Sequence, residues 1–316
     1  ILNFLFLIDS YIMSLNTDAL LERIRLKSQL LKWRALFVIL LAALFFSYSD
    51  SGLSVFPGPN YIARIEITGL VDQDRYRDSV LKSLSEDEDV KAVIVHINTP
   101  GGTVVGGESI YNALKDISKV KPTVSVMGTL ATSAGYMVAL GTERIYANQG
   151  TLTGSIGVIL HSAEIVDLAK KFGIEIDIVK SGPLKASPSP LEKFTPEARQ
   201  VMQDVIDDYY DVFVNMVVEG RKIDKAEVIK LADGRVYTGN QALSKKLVDE
   251  IGSEKEALLW LKDKKGIDTE NVVDVSLFKE TGKFESIFSS LSGQNAIFSK
   301  MLSLQGLLSV WVDGIM

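Results

Sequence analysis

The chain has 316 residues, 47% of them hydrophobic and 23% charged, with a formal net charge of −6 at pH 7. That length supports one large core or a core with a smaller lobe, and the acidic balance excludes a nucleic-acid binder, which needs basic surface to displace phosphate counterions. The absence of cysteine excludes disulfides, thiolate metal ligands and cysteine nucleophiles, and two histidines, His96 and His161, are too few for a His-rich metal site. No metal or cofactor is expected.

In chain order, residues 1–12 precede a more ordinary start at Met13, the expected initiator. Arg23, Arg25, Lys27, Lys32 and Arg34 then lead into the apolar run ALFVILLAALFF at 35–46. Positive charge before an uncharged apolar run is a targeting signal that leaves the N-terminus in the cytoplasm and exports the remainder of the chain. The run is shorter than the roughly 20 residues that span a bilayer. A single-pass anchor over 35–56 is expected, and a cleaved signal ending near Ser47 and Ser49 is the alternative.

From residue 61 the pattern alternates. YIARIEI has the period-two spacing of a strand, DQDRYRDSVLKSLSEDED reads as an exposed amphipathic helix, and KAVIVHI is the near-continuous apolar run of a strand covered on both faces. GGESIYNALKDISKV predicts a helix, PTVSVMG a strand, and TSAGYMVALG a helix closed by Gly141. Strands are expected at RIYANQ, SIGVILH and IEIDIVK, with a helix at AEIVDLAKKFG. After the loop GPLKASPSP, helices follow, the first opened by Thr195 as cap and Pro196 at its first position. Such alternation implies an α/β fold with right-handed crossovers.

Two stretches could carry chemistry. INTPGG at 97–102 ends a buried strand, and its glycines let the backbone turn sharply and present N–H groups to an oxyanion. In TLATSAGYMVALG, Ser133 stands where strand hands over to helix; alone it reads as a helix cap, and beside the glycine turn it reads as a nucleophile. Position 131 is Ala, so the G-x-S-x-G elbow is not matched. A serine hydroxyl needs a base. His161, His96 or Lys185 could serve, the last in a loop of small residues and prolines, because a lysine shielded from water gives up its proton more readily.

INTPGG, GTLATSAGYMVALG, GTLTGSIGVI, KSGPLKASPSP and GRVYTGNQALSKKLVDEIG together resemble the signal peptide peptidase A family, membrane-anchored serine proteases related to Clp protease and the crotonases. The resemblance implies a spiral of ββα units in a dome-like homo-oligomeric ring of about eight subunits. It implies Ser133 as nucleophile, Lys185 as general base, Ser155 as the serine that positions the lysine, and Gly102, Gly101 and Ala134 as oxyanion donors. Substrates would be remnant signal peptides and other apolar peptides. The expected division is a cytoplasmic segment 1–34, a membrane segment 35–56, an extracytoplasmic peptidase domain 57–280 and an apolar tail 281–316. The rivals are a Ser-His-Asp peptidase using His161 with Asp167 or Asp177, a crotonase-like acyl-CoA enzyme, and a non-catalytic membrane scaffold.

Overall fold

The computed structural model describes residues 25–27, 29–40, 59–278 and 308–310. Two compact units separate at Pro57/Gly58. The first contributes a helical stretch over 29–40 whose Leu36, Phe37 and Ile39 are exposed. No helix among the described residues is long and apolar enough to cross a membrane. The expected membrane segment falls mostly on residues 41–56, outside the described residues.

The second unit is built on a mixed sheet. β1 (Tyr61–Val71), β2 (Val90–Thr103) and β3 (Thr123–Thr132) run parallel. β3 then forks: its first half pairs with β4 (Arg144–Ala147) and its last residues with β5 (Leu152–Gly154). β6 (Val236–Thr238) extends the β5 side, β7 (Glu250–Ile251) pairs with β4, and β8 (Val272–Asp274) adds to β1. A short strand of the tail, β9 (Leu308–Val310), lies antiparallel along β2 with Gly101 opposite Val310 and Thr103 opposite Leu308.

Strand alternation sorts the core onto two faces. Ala63, Ile65 and Ile67 of β1 with Val93, Val95 and Ile97 of β2 face α1 (Arg75–Glu86), α2 (Val104–Ser118), α3 (Ala134–Leu140) and the second half of α5 (Pro196–Arg221). Ile62, Ala92, Ile94, Val124 and Val126 face the other way, onto Ala257 and Leu261 of α8 (Glu254–Lys265). Both faces are covered, so Ala92–Val95 of KAVIVHI is apolar on both sides. Between α5 and α8 lie α6 (Lys225–Leu231) and α7 (Gly239–Ser244), and α4 (Val166–Lys171) precedes α5.

The helix starts follow their caps. The Asp74 carboxylate accepts from the N–H groups of Tyr76 and Arg77, and Thr195 accepts from Ala198 with Pro196 following. Two expected strands do not form. SIGVILH and IEIDIVK lack extended pairing, and Ile174, Ile178 and Val179 are exposed. Their period-two pattern asks for a neighbouring strand, and SIGVILH finds only an isolated bridge at Ile159.

α3 is anchored at depth. Tyr136 is fully buried and donates its hydroxyl to the Leu247 carbonyl at 2.8 Å, and burial raises its pKa. Tyr136→Phe leaves that carbonyl unpaired and should cost about 1–3 kcal/mol, read as a lowered Tm in thermal unfolding.

Candidate active site

β3 ends at Thr132, and at Ser133 the chain turns at once into α3. Ser133 has φ 59° and ψ −121°, a backbone conformation that costs a non-glycine residue of order 1–3 kcal/mol and gathers at functional sites. Its N–H donates to the Gly154 carbonyl at 2.8 Å, and its own carbonyl accepts from Tyr136 and Met137. The side chain makes no capping bond to α3, so the cap reading of this serine does not hold. Gly135 follows because a Cβ there would lie 2.6 Å from Thr99 Cγ2. The small residues of TSAG thus allow α3 to press onto the β2 turn.

That turn uses every residue of NTPGG. Asn98 sits where the β2–β3 register slips, and its Oδ1 accepts from the Leu130 N–H at 3.1 Å. Thr99, fully buried, donates to the Gly69 carbonyl at 2.5 Å and accepts from the Gly101 N–H at 3.0 Å. The Pro100 carbonyl accepts from Thr132 Oγ1 at 3.0 Å. Gly101 has φ 112°, open only to glycine. Gly102 lies so close to β1 that a Cβ would stand 1.8 Å from the Val71 carbonyl oxygen.

Ser155 stands at the end of β5, beside β3, with φ 50° and its N–H bonded to the Arg235 carbonyl. β3 and β5 are in register up to Thr132 opposite Gly154, so Ser133 and Ser155 leave adjacent strand ends. The fold therefore gathers Ser133, Ala134, Ser155, Gly101 and Gly102 at one end of the sheet.

Lys185 is different. It is exposed on a turn, whereas Ser133 is 1% exposed. The turn is held by Lys180, whose ammonium pairs with Glu192 at 2.6 Å and reaches the Lys185 carbonyl at 3.4 Å. In the same stretch of chain, between 172 and 191, Phe172, Ile174, Val179, Leu184 and Leu191 are exposed.

The histidines are placed elsewhere. His96 points to the α8 face, where Nε2 lies 2.6 Å from Glu254 Oε2. That carboxylate also holds Arg64, which in turn binds Asp274 through two nitrogens and keeps its carboxyl below the usual range. These groups line a surface cavity of about 480 Å³ on that face. His161 is exposed at the end of SIGVILH, and Asp167 on α4 and Asp177 beyond it are exposed too.

From sequence, INTPGG reads simply as a glycine turn, and the parts played by Asn98, Thr99 and Thr132 go unseen. Their signal was present, since buried threonines beside a glycine turn need acceptors. Gly102→Ala forces the turn off Val71. The displaced turn should lower turnover roughly 100-fold, measured as peptide hydrolysis by a variant verified as folded by circular dichroism.

The profile of peptidase family S49 matches residues 115–268, and that of Clp protease matches residues 62–153. The Synechocystis sp. protein slr0021 is 41% identical over 213 residues, covering 67% of this chain and 76% of that one. An Enterococcus faecium chain named for signal peptide peptidase SppA is 38% identical over 195 residues, 61% of this chain and 57% of that one. Protease 4 of Haemophilus influenzae is 33% identical over 210 residues, covering 63% of this chain but only 34% of its own length. Ser133 and the glycine turn thus lie in a sequence whose relatives carry protease names, and the chain belongs to peptidase family S49, the serine peptidases that its motifs resemble.

Proposed function

We propose that this peptidase cleaves extended apolar peptides through a Ser133–Lys185 dyad. The observation that carries the reading is the strained, non-capping Ser133 at the mouth of the glycine turn. In the proposed cycle Lys185 Nζ takes the hydroxyl proton as Ser133 Oγ attacks the scissile carbonyl. The N–H groups of Gly102 and Ala134 receive the oxyanion. The C–N bond then breaks, the leaving amine takes the proton from Lys185, and water releases the acyl group by the reverse roles. Ser155 would hold the lysine amine.

The edge that an extended substrate would use is already used by strand β9, which lies antiparallel on Gly101–Thr103. Main-chain pairing of this kind gives affinity without dependence on side-chain sequence. An enzyme that clears varied apolar peptides needs that tolerance. The basic residues before the apolar run at 35–46 support a membrane-tethered enzyme with its peptidase part outside the cytoplasm.

Exposed Lys185 and the exposed apolar residues of the 172–191 segment support assembly with further copies. Exposed Phe172, Val179 and Leu184 would each gain by burial against a neighbour. That burial would remove water from the lysine, as a general base requires. A ring of Clp type would supply the contact.

Labelling with a serine-acylating inhibitor should place one adduct on Ser133 by mass spectrometry. Ser133→Ala and Lys185→Ala should each lower peptide hydrolysis roughly 10⁴-fold, and His161→Ala should leave it within about twofold. Full activity in Lys185→Ala would sink the dyad. Mixing the two inactive variants should restore part of the activity if one copy's lysine serves another copy's serine.

Deleting residues 281–316 should raise the initial rate on a short extended peptide severalfold by freeing the Gly101–Thr103 edge. An unchanged rate would show that strand β9 does not compete with substrate.

A further inference from the structure

We infer that Thr99 and Thr132 are a pair of positioning residues that aim the oxyanion donors at the carbonyl attacked by Ser133. The inference rests on the reading of Ser133 as nucleophile. Its basis is that the two hydroxyls hold opposite ends of one peptide group. Thr132 Oγ1 donates to the carbonyl of Pro100 at 3.0 Å, and Thr99 Oγ1 accepts from the N–H of Gly101 at 3.0 Å. In a trans peptide those two dipoles point in opposite directions, so the plane is pinned from both sides.

Pinning this plane also selects the donor. The Gly101 N–H is engaged by Thr99 and does not face a substrate, so of the two glycines only Gly102 serves the oxyanion. The direction of the Gly102 N–H is set by Gly101, whose φ is 112°, and by the Val71 carbonyl that Gly102 presses against. With the preceding peptide pinned and the following residue wedged, little freedom is left to the donor.

The pair also couples the two halves of the site. Thr132 is the residue before Ser133, so the bond to Pro100 ties the nucleophile's own strand to the glycine turn. Thr99 carries the tie onward to the Gly69 carbonyl of β1 at 2.5 Å, and its methyl lies where α3 crosses at Gly135. Both threonines are fully buried, so the bonds are not exchanged with water. Preorganised donors stabilise a transition state because no reorientation is needed as charge develops, and misplacement by about 1 Å can cost on the order of 100-fold.

The test compares Thr132→Ser, Thr132→Ala and Thr132→Val, with Thr99→Val as a companion, in the full chain. Three quantities are read: kcat, KM, and affinity for a peptide boronate that forms a tetrahedral adduct on serine. Loss of the hydroxyl should lower kcat roughly 10- to 100-fold with KM changed by less than about twofold. Boronate affinity should fall by the same factor as kcat. Thr132→Ser should restore all three.

A role in stability alone would lower Tm and leave the ratio of boronate to substrate affinity unchanged. Should Val prove too disruptive to fold, the Ser and Ala variants differ at this position only by the hydroxyl. Equal kcat in those two would overturn the inference. If the wild-type chain forms no adduct at Ser133, the nucleophile reading falls and this inference with it. If the adduct forms and the threonine variants are indifferent, only the positioning role falls.

Discussion

The Pro100–Gly102 turn can lie against β1 only because Gly102 has no side chain. A Cβ there would sit 1.8 Å from the Val71 carbonyl oxygen, well inside contact distance. With the turn seated on β1, the other bonds become possible: Thr99 reaches Gly69, Gly101 reaches Thr99, and Thr132 reaches Pro100. α3 in turn can cross Thr99 only because position 135 is glycine. Two missing methyl groups thus permit a site in which three strands and a helix meet at one point.

The sheet supplies the other half of that arrangement. β3 forks, giving its first residues to β4 and its last to β5, so its end projects past β4. Ser133 is carried on that projecting end, held by the Gly154 carbonyl on one side and by α3 on the other. The strained backbone there is sustained by the surrounding hydrogen bonds. The cost of the strain is offset by a buried helix whose Tyr136 is fixed to Leu247.

Charge is handled separately from chemistry. His96, Arg64, Glu254 and Asp274 bind one another on the face under α8, and the Arg221 guanidinium, 8% exposed, forks onto Asp249 at 3.0 and 2.7 Å. These pairs tie distant elements of the chain together.

Periodicity and capping are local, and the elements that depend on them alone are legible in the order of residues. KAVIVHI is apolar on both faces because helices cover both, DQDRYRD starts a helix because Asp74 caps it, and INTPGG turns because its residues can. The same local rules failed for SIGVILH and IEIDIVK, since a strand needs a partner and alternation does not say whether one exists. Packing of remote segments assigned the rest. It gave the Gly101 N–H to Thr99, sent His96 to Glu254, freed Ser133 from capping and left Lys185 exposed. Each of these outcomes turns on which group from a remote strand arrives within about 3 Å, and strand register, a property of the whole sheet, sets that distance.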